Sequence, residues 1–121
     1  WTDHHFRQMM RSLTRQTLLY TEMYPVDVIL EAAEHSPERL ERLIGFDATQ
    51  RPLAVQIGGR DPQRMGRAAR LCAEQGYDEV NINVGCPSET VSMLQGYGAC
   101  LMKDAALVQQ LAAAVRSAVP A

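Results

Sequence analysis

Short runs rich in β-branched and aromatic residues alternate with capped helical stretches along the whole chain, and this alternation constrains the fold more than any other feature. Thr2 or Asp3 can cap a first helix, in which Phe6, Met9, Met10 and Leu13 recur at i, i+3, i+4 and i+7 as an apolar stripe. A short strand is expected at Leu18–Thr21. Pro25 opens a helical stretch through Ala33, Ser36-Pro37-Glu38 starts another, and Gly45 stops it. Leu53–Ile57 reads as a second strand, ended by Gly58-Gly59. Asp61-Pro62 caps a helix that carries Met65, Ala68, Ala69 and Cys72 on one face and ends at Gly76. Glu79–Val84 reads as a third strand and Gly85–Gly98 as a glycine-containing loop. Asp104 caps a last helix through Val119, with Val108, Leu111, Ala112, Val115 and Val119 inward. Strands separated by helices in this way are parallel, joined by crossover connections. Doubly wound sheets and (β/α)8 barrels both satisfy that order, so the alternation leaves the two open.

Two of the strands carry more information. In the second, Leu53, Val55 and Ile57 share one face while Ala54 and Gln56 share the other. In the third, Val80, Ile82 and Val84 oppose Glu79, Asn81 and Asn83. Parallel strands are normally covered on both faces and read as apolar runs, and buried amides need hydrogen-bond partners. A glutamine and two asparagines on one face therefore point either to a polar ligand near the strand ends, as in a barrel whose upper lumen meets a cofactor, or to an edge strand with one wet face.

A chain of 121 residues holds at most one domain. No apolar run approaches the roughly 20 residues needed to span a bilayer, and the N-terminal stretch lacks an apolar signal core. The first residue is not Met, so the chain is expected to begin inside a longer protein. The net charge of −2 argues against these residues alone gripping a polyanion. Arg60, Arg64, Arg67 and Arg70 form a loose cluster on a helix and read as a solvated face. His4 and His5 are adjacent and cannot share a helical face as paired ligands do, so no metal site is expected. Three widely spaced cysteines, Cys72, Cys86 and Cys100, give no disulfide framework and fit a reducing cytoplasm.

The chemistry concentrates in Asn83-Val84-Gly85-Cys86-Pro87-Ser88, directly after the third strand. That is the carboxyl end, where active sites of α/β folds collect. Gly85 allows a sharp turn or a close ligand. Pro87 fixes its own φ and holds Cys86 extended. A thiol on a stiff corner at a strand end reads as reactive, where a lone cysteine would read as a small buried hydrophobe.

Asn-Val-Gly-Cys-Pro-Ser resembles the signature of the tRNA-dihydrouridine synthases. Other segments agree in order: Trp1-Thr2-Asp3 with Phe6-Arg7, Tyr20-Thr21-Glu22-Met23, Val55-Gln56-Ile57-Gly58-Gly59, and Gly96-Tyr97-Gly98-Ala99-Cys100-Leu101-Met102. The wording is most similar to the A-type bacterial subfamily. The resemblance implies an α/β fold, a partial (β/α)8 barrel comprising about strands 2 to 4 with flanking helices. Residues 1–121 would be an incomplete flavin-binding barrel domain, with the remaining strands and a C-terminal helical tRNA-binding domain absent. It implies FMN and NADPH as cofactors, tRNA as substrate, Gln56 and Asn83 as flavin contacts, Asn81 as a supporting residue behind them, and Cys86 as the acid that protonates C5 of uracil. An ordinary thiol is protonated near neutral pH and can serve in that way. Cys100 reads as a packed cysteine. Two other functions fit parts of the pattern: a barrel flavoenzyme acting on a free pyrimidine, similar to a dihydroorotate dehydrogenase, and a non-catalytic remnant that binds RNA or a partner.

Overall fold

The computed structural model describes residues 2–120; Trp1 of the opening motif lies outside them. The described residues form five α-helices and three strands in the order α1 (His4–Leu13), β1 (Leu19–Pro25), α2 (Val26–His35), α3 (Pro37–Ile44), β2 (Leu53–Gly58), α4 (Pro62–Glu74), β3 (Glu79–Ile82) and α5 (Ala105–Ala118). Side-chain caps start four of the helices: Asp3, Ser36, Asp61 and Asp104 each accept the backbone N–H three residues on. The strands form one parallel sheet in the order β1-β2-β3, with β2 in the middle. Helix α4 packs against both α2 and α5, so the crossover helices form one continuous layer on one side of the sheet. Sequential strand order with all crossovers on one side fits a sector of a (β/α)8 barrel, and equally one βαβαβ half of a doubly wound sheet.

The core lies between that sheet and that layer. Leu53, Val55 and Ile57 are fully buried against Ile29, Met65, Ala68, Ala69, Cys72 and Leu111. Burying a side chain of this size contributes about 1.5–3 kcal/mol. Burial also pushes the Cys72 thiol up to about 12, so it is an inert core residue. Arg64 and Arg67 are not free cations: they pair with Asp27 at 2.8 Å and Glu34 at 3.5 Å, tying α4 to α2.

Several elements differ from the expectation. β1 continues to Pro25, because Met23, Tyr24 and Pro25 pair with Gln56, Ile57 and Gly58. Pro25 is thus the last strand residue and the helix cap, with extended backbone, rather than the first turn of the helix. β3 ends at Ile82, although the Asn83 N–H still donates to Ile57 O at 2.9 Å. Ala112 is exposed; Leu111 and Val115 carry the buried face of α5. The loop after β3 is partly wound, with a π-helical turn at Thr90–Leu94 and a 3₁₀ segment at Gly98–Lys103.

Helix α1 forms behind its Asp3 cap as expected, and the structure adds which of its faces meets the rest of the chain. Its apolar stripe faces outward, with Phe6 40%, Met9 55% and Leu13 75% exposed. Its inner face is polar instead. Arg7 is buried and donates through Nε to Oε1 of the fully buried Gln50 at 2.8 Å. Arg11 donates to the carbonyls of Gln50 and Pro52, each at 2.8 Å. Two arginines one helical turn apart thus dock the helix on the segment that leads into β2. Their hydrogen bonds are charge-assisted, about twice as strong as neutral ones.

Candidate active site at the carboxyl end of the sheet

On the side of the sheet opposite the helices, three amides form one hydrogen-bonded row across β2 and β3. Asn83 Nδ2 donates to Gln56 Oε1 at 2.8 Å, and Gln56 Nε2 donates to Asn81 Oδ1 at 2.9 Å. The backbone sets the polarity of the row. Asn83 Oδ1 accepts the N–H groups of Cys86 at 2.9 Å and Gly85 at 3.2 Å, so its Nδ2 must be the end facing Gln56. Each following amide is oriented in turn. Because β2 is the central strand, Gln56 belongs to no wet edge; its face is simply bare of helix.

The same row sets the start of the loop. Asn83 side-chain acceptance of two consecutive N–H groups is an Asx-type turn, and it holds the Cys86 peptide from its amino side. Gly85 is not demanded by the chain itself: it has no left-handed φ, and a Cβ there would meet nothing within 4 Å. Space over Gly85 remains for something to approach. Cys86 is partly exposed, and among the described residues its Sγ has no hydrogen-bond partner. Cys100 instead donates its thiol to Tyr97 O at 3.3 Å within the 3₁₀ segment.

Residues the sequence patterns did not single out complete the rim. A bulge in β1 between Tyr20 and Met23 lets Thr21 Oγ1 accept the Gln56 N–H at 3.1 Å. Tyr97 is 5% exposed, and its ring lies where a Cβ on Gly58 would come within 2.5 Å of it. Its hydroxyl is buried without a hydrogen-bond partner among the described residues, and burial raises its pKa, with the nearby Asp27 and Cys86 adding to the effect. The paired glycines at the end of β2 were the signal: Gly58, the last residue of the strand, leaves room for the aromatic ring. A cavity of ≈ 330 Å³ opens beside this ring, lined by Pro25, Gly58, Gly59, Arg60, Gln95 and Tyr97 among others. Gln56, Asn83 and Cys86 do not line it; they lie on the open face. Among the described residues no group of three His, Cys, Asp or Glu could hold a metal ion, and no helix is long and apolar enough to cross a membrane.

A barrel sector whose carboxyl rim carries oriented amides and a cornered thiol defines a class, the α/β-barrel proteins that gather ligands at their strand ends. The chain belongs to the dihydrouridine synthase family: the family described as Dihydrouridine synthase (Dus) matches residues 1–121. It is 46% identical over 118 residues to the tRNA-dihydrouridine(20/20a) synthase of Synechocystis sp., covering 98% of this chain and 33% of that protein. It is 48% identical over 119 residues to the protein of the same name from Pseudomonas putida, again 98% and 33%. The chain spans about a third of the length of the curated relatives it matches.

Proposed function

We propose that this chain is the part of a tRNA-dihydrouridine synthase that carries its proton donor, and that the full-length protein reduces uridine to 5,6-dihydrouridine in the D-loop of tRNA. The observation that carries the reading is the continuous row Asn81–Gln56–Asn83–Cys86 at the carboxyl end of β2 and β3. On this reading the remaining barrel strands and a helical tRNA-binding domain come from outside these 121 residues, and the isolated chain is inactive.

The strand-end face suits a flavin. Gln56 and Asn83 each use one side-chain N–H within the row and keep a second for a ligand. The space over Gly85 admits a flat ring. The polar edge of FMN alternates acceptors and donors, which amides can meet from either side. When bound, FMN reduced by NADPH supplies the hydride that adds to uracil C6. Gln56 and Asn83 hold and orient its polar edge. The target base is flipped out of the RNA stack to reach the rim. As negative charge builds on C5 and the C4 carbonyl, the Cys86 thiol gives its proton to C5. The Asn83 carboxamide keeps the Cys86 backbone fixed while this happens.

The test is an assay of the full-length protein with NADPH on unmodified tRNA and on free uridine, with the flavin absorbance recorded. Dihydrouridine in tRNA and none from the free nucleoside supports the reading. Turnover of a free pyrimidine would support the dihydroorotate dehydrogenase-like alternative. Absence of both flavin and turnover would leave a non-catalytic role.

A further inference from the structure

The far end of the long loop folds back onto the cysteine that begins it. The Ala99 N–H donates to Cys86 O at 2.9 Å, so the Cys86 peptide is held from its carbonyl side as well as from its amino side by Asn83. This approach is possible only because residue 98 is glycine. Gly98 is buried with φ +71, and a Cβ there would sit 2.6 Å from Cys86 O and 2.9 Å from Val91 Cγ1. Its neighbour Tyr97 anchors the returning chain. The Tyr97 ring is keyed onto Gly58 at the end of β2, and its N–H donates to Val91 O at 3.2 Å. The π-helical turn Thr90–Leu94 takes up the loop between the two ends.

We propose that Tyr97 and Gly98 are positioning residues for Cys86. They form a clip that references the thiol-bearing corner to β2, the strand that carries Gln56. The proposal deepens the reading of Cys86 as proton donor and rests on it. A general acid works only when its proton lies within reach of the reacting atom. Asn83 holds only the amino side of Cys86, and the loop that follows, within residues 85–98, contains no strand to hold the other side. With both sides of its peptide bonded and the return chain pinned by a buried ring, the Cys86 backbone has one place to be. The clip acts through the Cys86 peptide, which it holds by the Ala99 N–H.

The experiment is a double-mutant cycle in the full-length protein. Gly98→Ala is expected to lower dihydrouridine formation roughly ten- to hundredfold, the size of effect that a misplacement of about 1 Å produces. Flavin content and NADPH-driven flavin reduction should stay at wild-type levels. The rate at which iodoacetamide alkylates Cys86, mapped by mass spectrometry, should rise as the corner loosens. In a Cys86→Ala background the same substitution should cause no further loss, because residues that act through one group are not additive. Should Gly98→Ala fail to fold, Tyr97→Ala runs through the same cycle without a clash, and Tyr97→Phe should recover the rate that Tyr97→Ala loses. An additive loss in the Cys86→Ala background, or unchanged rate and alkylation in the single variants, would overturn the clip. Near-normal turnover by Cys86→Ala alone would instead sink the proton-donor reading, and the alkylation comparison would then decide the clip by itself.

Discussion

Ile57 and Gln56 are neighbours on the central strand, yet they belong to regions built by opposite rules. Ile57 points with Leu53 and Val55 into an apolar layer closed by α2, α4 and α5, and all three are fully buried there. Gln56 points the other way, into a row of amides that bond one another and leave donors over. The first region is complete in its packing and explains why the chain has a fold. The second is satisfied in its own hydrogen bonds but open to solvent, and on the proposed reading it is the face that meets the flavin. A one-residue slip of β2 would exchange the two faces; the shared register Val55 to Val80 and Gln56 to Asn81 prevents it.

Substitution on either side of β2 separates the two roles. Ile57→Ala should lower the stability of the full-length protein by about 2–5 kcal/mol in denaturant titration, since it opens a cavity in a closed layer. Gln56→Ala, one residue away, should cost only about 1 kcal/mol, because its lost hydrogen bonds lie where water can replace them. That variant and Asn83→Ala should instead lose flavin on gel filtration. Wild-type flavin content in both would show that the row faces something else.

A smaller effect is expected at the amino end of the same strands. Asp78 accepts the Leu53 N–H at 2.8 Å and pairs with Arg51. The Arg51 hydrogen bond, with help from the Leu53 N–H and despite some burial, holds its carboxyl below the usual 3.8. A carboxylate lowered in this way stabilises the fold above its unfolded pKa and loses that contribution as pH falls through the folded one. Asp78→Asn should therefore destabilise by about 1 kcal/mol at neutral pH, with the difference vanishing below the carboxylate range in melts run from pH 7 to pH 2. The least effect on stability is expected at α1. Met9→Gln with Leu13→Gln should stay within about 0.5 kcal/mol, because both side chains are already exposed. The same pair should reduce light scattering by the isolated chain, whose open edges at β1 and β3 and uncovered apolar stripe favour association.

The contrast between the two faces was written in the strands themselves. Alternation in Leu53–Ile57 and Glu79–Val84 separates apolar from amide positions, and the structure keeps that separation. Caps at Asp61 and Asp104 likewise mark helix starts by local chemistry alone. What the sequence patterns left open has a common cause. An apolar stripe at helical spacing says that a helix is amphipathic, not which side meets this chain; in α1 a buried arginine–glutamine contact 43 residues apart decides it. The same holds for Tyr97, which matters only because Gly58 lies beneath it. Tertiary partners distant in sequence leave no periodic trace.

The most direct test of the account is Cys86→Ala in the full-length protein, with flavin reduction and tRNA reduction measured separately. The account predicts unchanged flavin binding and unchanged flavin reduction by NADPH, with dihydrouridine formation down about a hundredfold or more, the usual weight of a general acid. Near-normal tRNA reduction by the alanine variant would contradict it.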